Sequence, residues 1–92
     1  MNYIHHKNSW NWGISDSIVA EDGKSIIYLS IENDRPNIAI ISNLSVYEKE
    51  RNKGRGEDMI TEAERTAAET YGIHTIEIAA EIVWVANWYM RL

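Results

Sequence analysis

The alternation of apolar and polar residues in the first half of the chain predicts short β-strands. Residues 14–20 form a candidate strand, residues 21–24 (Glu-Asp-Gly-Lys) a hairpin turn, and residues 26–31 the returning strand. A second turn contains the only proline, Pro36. The nearly continuous hydrophobicity of Ile38–Val46 predicts a central strand that is buried on both faces. We therefore expect an antiparallel meander of three strands.

The second half of the chain changes to a helical period. Residues 57–71 predict a helix that ends at Gly72. The residues expected to face the sheet are Met59, Ile60, Ala63, Ala67 and Tyr71, and those expected to face solvent are Glu62, Glu64, Arg65 and Glu69. Residues 73–79 alternate like a strand, which a preceding helix would place parallel to the strand before it. Residues 83–92 predict a short final helix.

The composition limits the classes of function. With 92 residues, 45% of them hydrophobic and 25% charged, the chain predicts a single globular domain over residues 1–92. A net charge of -5 disfavours a general nucleic-acid surface. The absence of cysteine excludes disulfides and thiol catalysis. No apolar run resembles a signal peptide or a membrane span, so we expect a cytoplasmic protein without membrane contact.

Residues 51–56 (Arg-Asn-Lys-Gly-Arg-Gly) join the apolar strand to the helix. Two glycines allow a tight turn and leave the backbone amides uncovered. The first amides of a helix have no partner inside the helix, and the helix dipole favours an anion there. Strand, glycine turn and helix start therefore predict a diphosphate site, with positive charge from Arg51, Lys53 and Arg55. The alternative is a glycine turn in a solvated basic loop.

Two well-known phosphate-binding motifs do not fit this segment. The P-loop needs Lys-Ser or Lys-Thr after its second glycine, where Glu57 and Asp58 stand here. The dinucleotide motif needs three glycines, and only two are present. A strand ending Leu-x-Val (Leu44 to Val46), followed by Arg-x-x-Gly-x-Gly, resembles motif A of the GNAT superfamily of N-acetyltransferases.

The resemblance covers residues 25–92 and is strongest between Leu44 and Gly72. It implies an α+β (α/β-like) fold: a GNAT-like mixed sheet with an antiparallel meander, then strand, helix, strand and helix. The family usually has helices between its first two strands and two more strands after the final helix. Neither is found in this sequence, so we expect a member truncated at the C-terminus, whose fifth strand is an edge.

The resemblance also implies a chemistry, with acetyl-coenzyme A as the cofactor. An acetyl group would pass to a primary amine, such as a lysine of a partner protein. Backbone groups of Leu44 and Val46 would bind the pantetheine arm and polarise the thioester carbonyl. The residues that would bind the diphosphate are Arg51, Asn52, Lys53, Gly54, Arg55 and Gly56.

The two catalytic residues predicted on this basis are Tyr89 and Glu81. The C-terminal Trp-Tyr-Met-Arg-Leu is similar to the family's aromatic-Tyr-x-x-Leu, which assigns Tyr89 as the acid that protonates the leaving thiolate. Helical spacing alone would make Tyr89 a core aromatic. Glu81 is preferred as the base over Glu77 and Glu32, although each of the three suits a surface carboxylate and a chain of water molecules would serve equally well.

Three further expectations concern metal, partners and an alternative function. We predict no metal site, because the His5-His6 pair lies near a terminus that we expect to be flexible. A short domain with an open strand edge also predicts a symmetric homodimer. The alternative function is a non-catalytic binding or inhibitor module that acts through protein–protein contact at that edge.

Overall fold

The computed structural model describes residues 2–79 as a five-stranded mixed sheet that packs against one long helix. The elements are β1 (Tyr3–Trp10), β2 (Gly13–Ala20), β3 (Ser25–Glu32), β4 (Ile38–Val46), a 3-10 turn (Glu48–Glu50), α1 (Arg55–Tyr71) and β5 (Thr75–Ile78). The spatial order of the strands follows the chain, with four antiparallel strands and β5 parallel to β4. The predicted α+β class, mixed sheet and parallel pairing are confirmed. The predicted final helix, Glu81 and Tyr89 lie outside the described residues.

The meander has four strands, not the three predicted. β1 pairs with β2 in a continuous register that runs from Tyr3 opposite Ala20 to Trp10 opposite Gly13. The prediction of a flexible N-terminus is therefore wrong. Most β1 side chains are exposed, because this strand lies at the edge of the sheet. Backbone pairing holds such a strand without the apolar alternation that reveals buried strands in a sequence.

β4 is fully buried on one face only, which corrects the prediction of burial on both. Ala39 and Ile41 are fully buried beneath α1, whereas Ile38 and Ile40 are half-buried on the opposite face. Within residues 2–79, α1 packs on a single side of the sheet, against β2, β3 and β4.

α1 begins two residues earlier than predicted and ends at the expected glycine. Gly72 adopts φ 67°, and its amide donates to the Ala68 carbonyl at 3.1 Å, which closes the helix. The side chains confirmed as buried against the sheet are Met59, Ile60, Ala63 and Ala67. Glu62 was expected to face solvent and is instead buried. Within residues 2–79, no helix has both the length and the apolar character that a membrane crossing needs.

Candidate functional site

A β-bulge interrupts β4 shortly before the glycine loop. Between the pairs Ile26–Ser45 and Tyr28–Ser42, one residue of β3 lies opposite two residues of β4. Asn43, within the bulge, has φ 53°, a left-handed conformation that asparagine tolerates better than most residues. The extra residue reverses the alternation of side chains along β4. As a result, the strand has buried side chains beneath the helix on both sides of the bulge.

Leu44 and Val46, predicted to bind the pantetheine arm through their backbone, lie just after this bulge. Both side chains are buried. Together with Ser45 and Arg51 they line a cavity of about 340 Å³. The arm-binding role itself concerns backbone groups, and the Val46 carbonyl already accepts a hydrogen bond from Arg51 Nε at 3.1 Å. Arg51 therefore fixes the end of β4, whatever else it binds.

The described pairing of β4 with β5 ends before the bulge is reached. The last paired residues are Ile41 and Ile78, and the Ala79 amide donates to the Ile41 carbonyl at 2.9 Å. Within residues 2–79, β5 does not pair with the segment from Ser42 to Val46. The described parallel pairing therefore covers β4 from Ile38 to Ile41.

The glycine loop turns through two left-handed residues into the start of α1. Asn52 has φ 65° and Gly54 has φ 81°. Gly54 is the N-cap residue of the helix and has no side chain that could form a cap, and a Cβ placed there would meet no atom within 4 Å. A Cβ at Gly56 would lie 3.7 Å from Leu44 Cδ2, which shows how closely the first turn approaches β4. The helix start is therefore uncapped and adjoins the β4 cavity.

Arg55 is held by the β2–β3 hairpin. Its guanidinium forms a two-point contact with the Asp22 carboxylate, and the Nη1–Oδ1 distance is 3.1 Å. The hydrogen bond from Arg55, followed by one from the Lys24 amide, lowers the pKa of Asp22 from 3.8 to about 2. The predicted diphosphate ligand Arg55 therefore already has an anionic partner, and this contact joins the hairpin turn to the helix start.

The Asp22–Arg55 contact predicts a pH dependence that can be measured directly. Because the pKa of Asp22 is lowered in the folded protein, the contact adds to folding stability. That stabilisation is complete above about pH 4 and is lost as the pH falls towards 2. Arg55→Met should return the pKa of Asp22 towards 3.8, as followed by NMR of the carboxyl carbon. An unchanged pKa in that variant would show that Arg55 is not the cause.

A polar cluster that the sequence did not predict lies between β1, β2 and α1. His5 Nδ1 lies 3.1 Å from Asp16 Oδ2, and His5 Nε2 lies 3.1 Å from Glu62 Oε2. Asp16 is 1% exposed and Glu62 is 6% exposed. Arg65 Nε donates to Glu62 Oε1 at 3.0 Å. Within residues 2–79, His, Asp and Glu form no group of three that could hold a metal ion. Through the contact between His5 and Glu62, the cluster attaches the edge strand β1 to α1.

Two carboxylates considered as alternatives to Glu81 are both on the surface. Glu77 forms a two-point contact with Arg35, whose hydrogen bond and charge lower the pKa of Glu77 although burial opposes the shift. The largest cause of this shift is the hydrogen bond from Arg35. Glu32 Oε1 lies 3.9 Å from Arg35 Nη1. Glu77 is thus an exposed partner of Arg35 and is poorly suited to accept a proton near neutral pH.

Comparison with protein-family models, with curated proteins and with solved structures found no match to this chain. The resemblance to the GNAT superfamily therefore rests on the order of motifs in the sequence.

Proposed function

We propose that this protein is an N-acetyltransferase, which moves an acetyl group from acetyl-coenzyme A to a primary amine. The observation that carries the proposal is that the bulged end of β4 leads through the glycine loop directly to the uncapped start of α1. The loop between them turns at Gly54, and the cavity at Leu44, Ser45, Val46 and Arg51 lies next to it. An elongated ligand with an anionic end suits a site of this form.

Each part of the site has a distinct role in this proposal. The diphosphate binds at the helix start, where the dipole and the first-turn amides favour negative charge. The acyl end lies along β4 at Leu44 and Val46, which border the cavity. There, a fixed backbone donor stabilises the oxyanion that forms when an amine attacks the thioester. The acceptor amine, such as a protein lysine, approaches from the open side of the cavity.

Tyr89→Phe tests the catalytic part of this proposal. The substitution keeps the ring and removes the hydroxyl that would protonate the leaving thiolate. We expect acetyl transfer to fall about 10-fold or more while coenzyme binding persists. The measurement is mass spectrometry of acetylated amines and lysine peptides after incubation with acetyl-coenzyme A.

Tyr28→Phe is the matched control for that experiment. Tyr28 alternates with the buried residues Ile27 and Leu29, so it lies on the sheet face away from α1. Removal of the Tyr28 hydroxyl should leave the rate of acetyl transfer unchanged. Equal rates in wild type and Tyr89→Phe would remove Tyr89 from the mechanism.

A non-catalytic binding module is the second candidate, and one surface feature favours it. Trp10 and Trp12 stack at the β1–β2 turn, with ring centroids 6.4 Å apart and planes 6° apart. About half of each side chain is exposed, and exposed aromatic surface is typical of protein contacts. A homodimer remains a prediction for the open strand edge at residues 73–79. Binding and turnover of acetyl-coenzyme A are required by the first candidate alone.

A further inference from the structure

Glu50 contacts cations from three separate parts of the chain. Its Oε2 lies 3.3 Å from Lys53 Nζ in the glycine loop and 3.5 Å from Arg55 Nε at the helix start. Its Oε1 lies 3.5 Å from Lys24 Nζ in the β2–β3 turn. Two cations of the predicted diphosphate site therefore share one protein carboxylate, and a third cation from outside that loop joins them.

The carboxylate is sheltered more than a surface ion pair usually is. The Glu50 side chain is 18% exposed and Arg55 is 14% exposed, compared with 60% for Lys53. The hydrogen bond from Lys53, followed by smaller contributions from Lys53, Lys24 and Arg55 charges, lowers the pKa of Glu50 overall. The carboxylate is thus held in its charged form among the cations.

We propose that Glu50 occupies the position of a ligand phosphoryl group and competes with it for Lys24, Lys53 and Arg55. A phosphoryl group offers more acceptor oxygens and more negative charge than one carboxylate. It would therefore displace Glu50, the last residue of the short 3-10 turn. The inference rests on the proposed function, because it places the diphosphate at this loop. It adds that the protein lowers its own affinity for that group.

This competition predicts a gain of affinity when the charge of Glu50 is removed. Glu50→Gln keeps the length of the side chain and removes the anion that opposes the ligand. We expect inorganic pyrophosphate to bind about 5-fold more tightly, which corresponds to the interaction of two unit charges about 4 Å apart in water. Isothermal titration calorimetry at constant ionic strength measures this change.

Glu48→Gln provides the matched control in the same 3-10 turn. It changes the net charge equally, but Glu48 is exposed, and its described contact is a backbone one, from the Arg51 amide to the Glu48 carbonyl. A gain confined to Glu50→Gln supports the inference. Equal gains in both variants would overturn it, since they would reflect net charge alone. Weaker or absent pyrophosphate binding in Glu50→Gln would also overturn it and would make Glu50 a structural brace.

Acetyl-coenzyme A, titrated in parallel, separates this inference from the proposed function. If pyrophosphate shows the selective gain but acetyl-coenzyme A binds neither wild type nor Glu50→Gln, the competition stands and the acetyltransferase proposal fails. If acetyl-coenzyme A binds equally to both and pyrophosphate shows no gain, the competition fails while the proposed cofactor survives.

Discussion

His5→Ala is expected to lower the free energy of unfolding by about 2 kcal/mol or more. The ring of His5 lies between Asp16 and Glu62, two carboxylates that are almost completely buried. Without the ring, both lose a polar partner and face each other across the resulting space. Removal of one partner from a fully buried ionic contact typically costs about 3–5 kcal/mol. The His5 side chain is 25% exposed, so we expect a smaller loss.

Urea unfolding measures this loss, and His6→Ala is the control. His6 is the neighbouring histidine on β1, but its side chain is exposed and points to the opposite face of the sheet. The control should change stability by less than about 0.5 kcal/mol. Similar stability in the two variants would mean that the His5 contacts contribute nothing to folding. Asp16→Asn, which keeps the shape of the side chain, would then be the next variant to measure.

The sequence was sufficient where a turn or a helix end depends on local residues. The hairpin at residues 21–24 forms as predicted: the Gly23 amide donates to the Ala20 carbonyl, and the Lys24 amide to the Asp22 side chain. Gly72 ends α1 because its left-handed conformation is accessible to glycine without cost. These features require only neighbouring residues, which a sequence shows directly.

The features that were missed depend on contacts between distant residues. β1 is held by pairing with β2, and its side chains are too polar to reveal a strand. Glu62 lies at a helical spacing from Met59 and Thr66, which are buried, so its inward position could have been read from the period. Its charge predicts a surface residue, and only the fold shows that His5 and Arg65 contact it.

The bulge in β4 was also invisible in the sequence, and it affects the candidate site. Its extra residue can be recognised only against the register of β3. Residues 51–54 form the predicted turn before the helix, whereas Arg55 and Gly56 belong to α1. Their salt bridges to Asp22 and Glu50 were not foreseen, because both carboxylates come from outside the motif.

Acetyl-coenzyme A is expected to stabilise the protein, and Gly54→Glu is expected to abolish that effect. A ligand that binds only the folded state contributes about 2.7 kcal/mol at 100 times its dissociation constant. The side chain of Gly54→Glu would place a carboxylate at the start of α1, where the diphosphate is proposed to bind, and its charge would repel the ligand. Thermal unfolding with and without the ligand measures the shift.

Gly72→Glu makes this a controlled comparison, because it introduces the same residue at the other end of the same helix. Gly54 and Gly72 both have positive φ, 81° and 67°, and a Cβ at either would meet no atom within 4 Å. Both substitutions therefore carry a similar backbone cost of about 1 kcal/mol. Because the helix dipole favours a carboxylate at the start of α1 and disfavours one at its end, the unliganded Gly72→Glu variant should unfold at the lower temperature, and the comparison is between the shifts that the ligand causes in each variant. Only Gly54→Glu should lose the stabilisation by acetyl-coenzyme A. If both variants keep the full shift, the diphosphate does not bind at the start of α1, and the proposed function loses the site on which it depends.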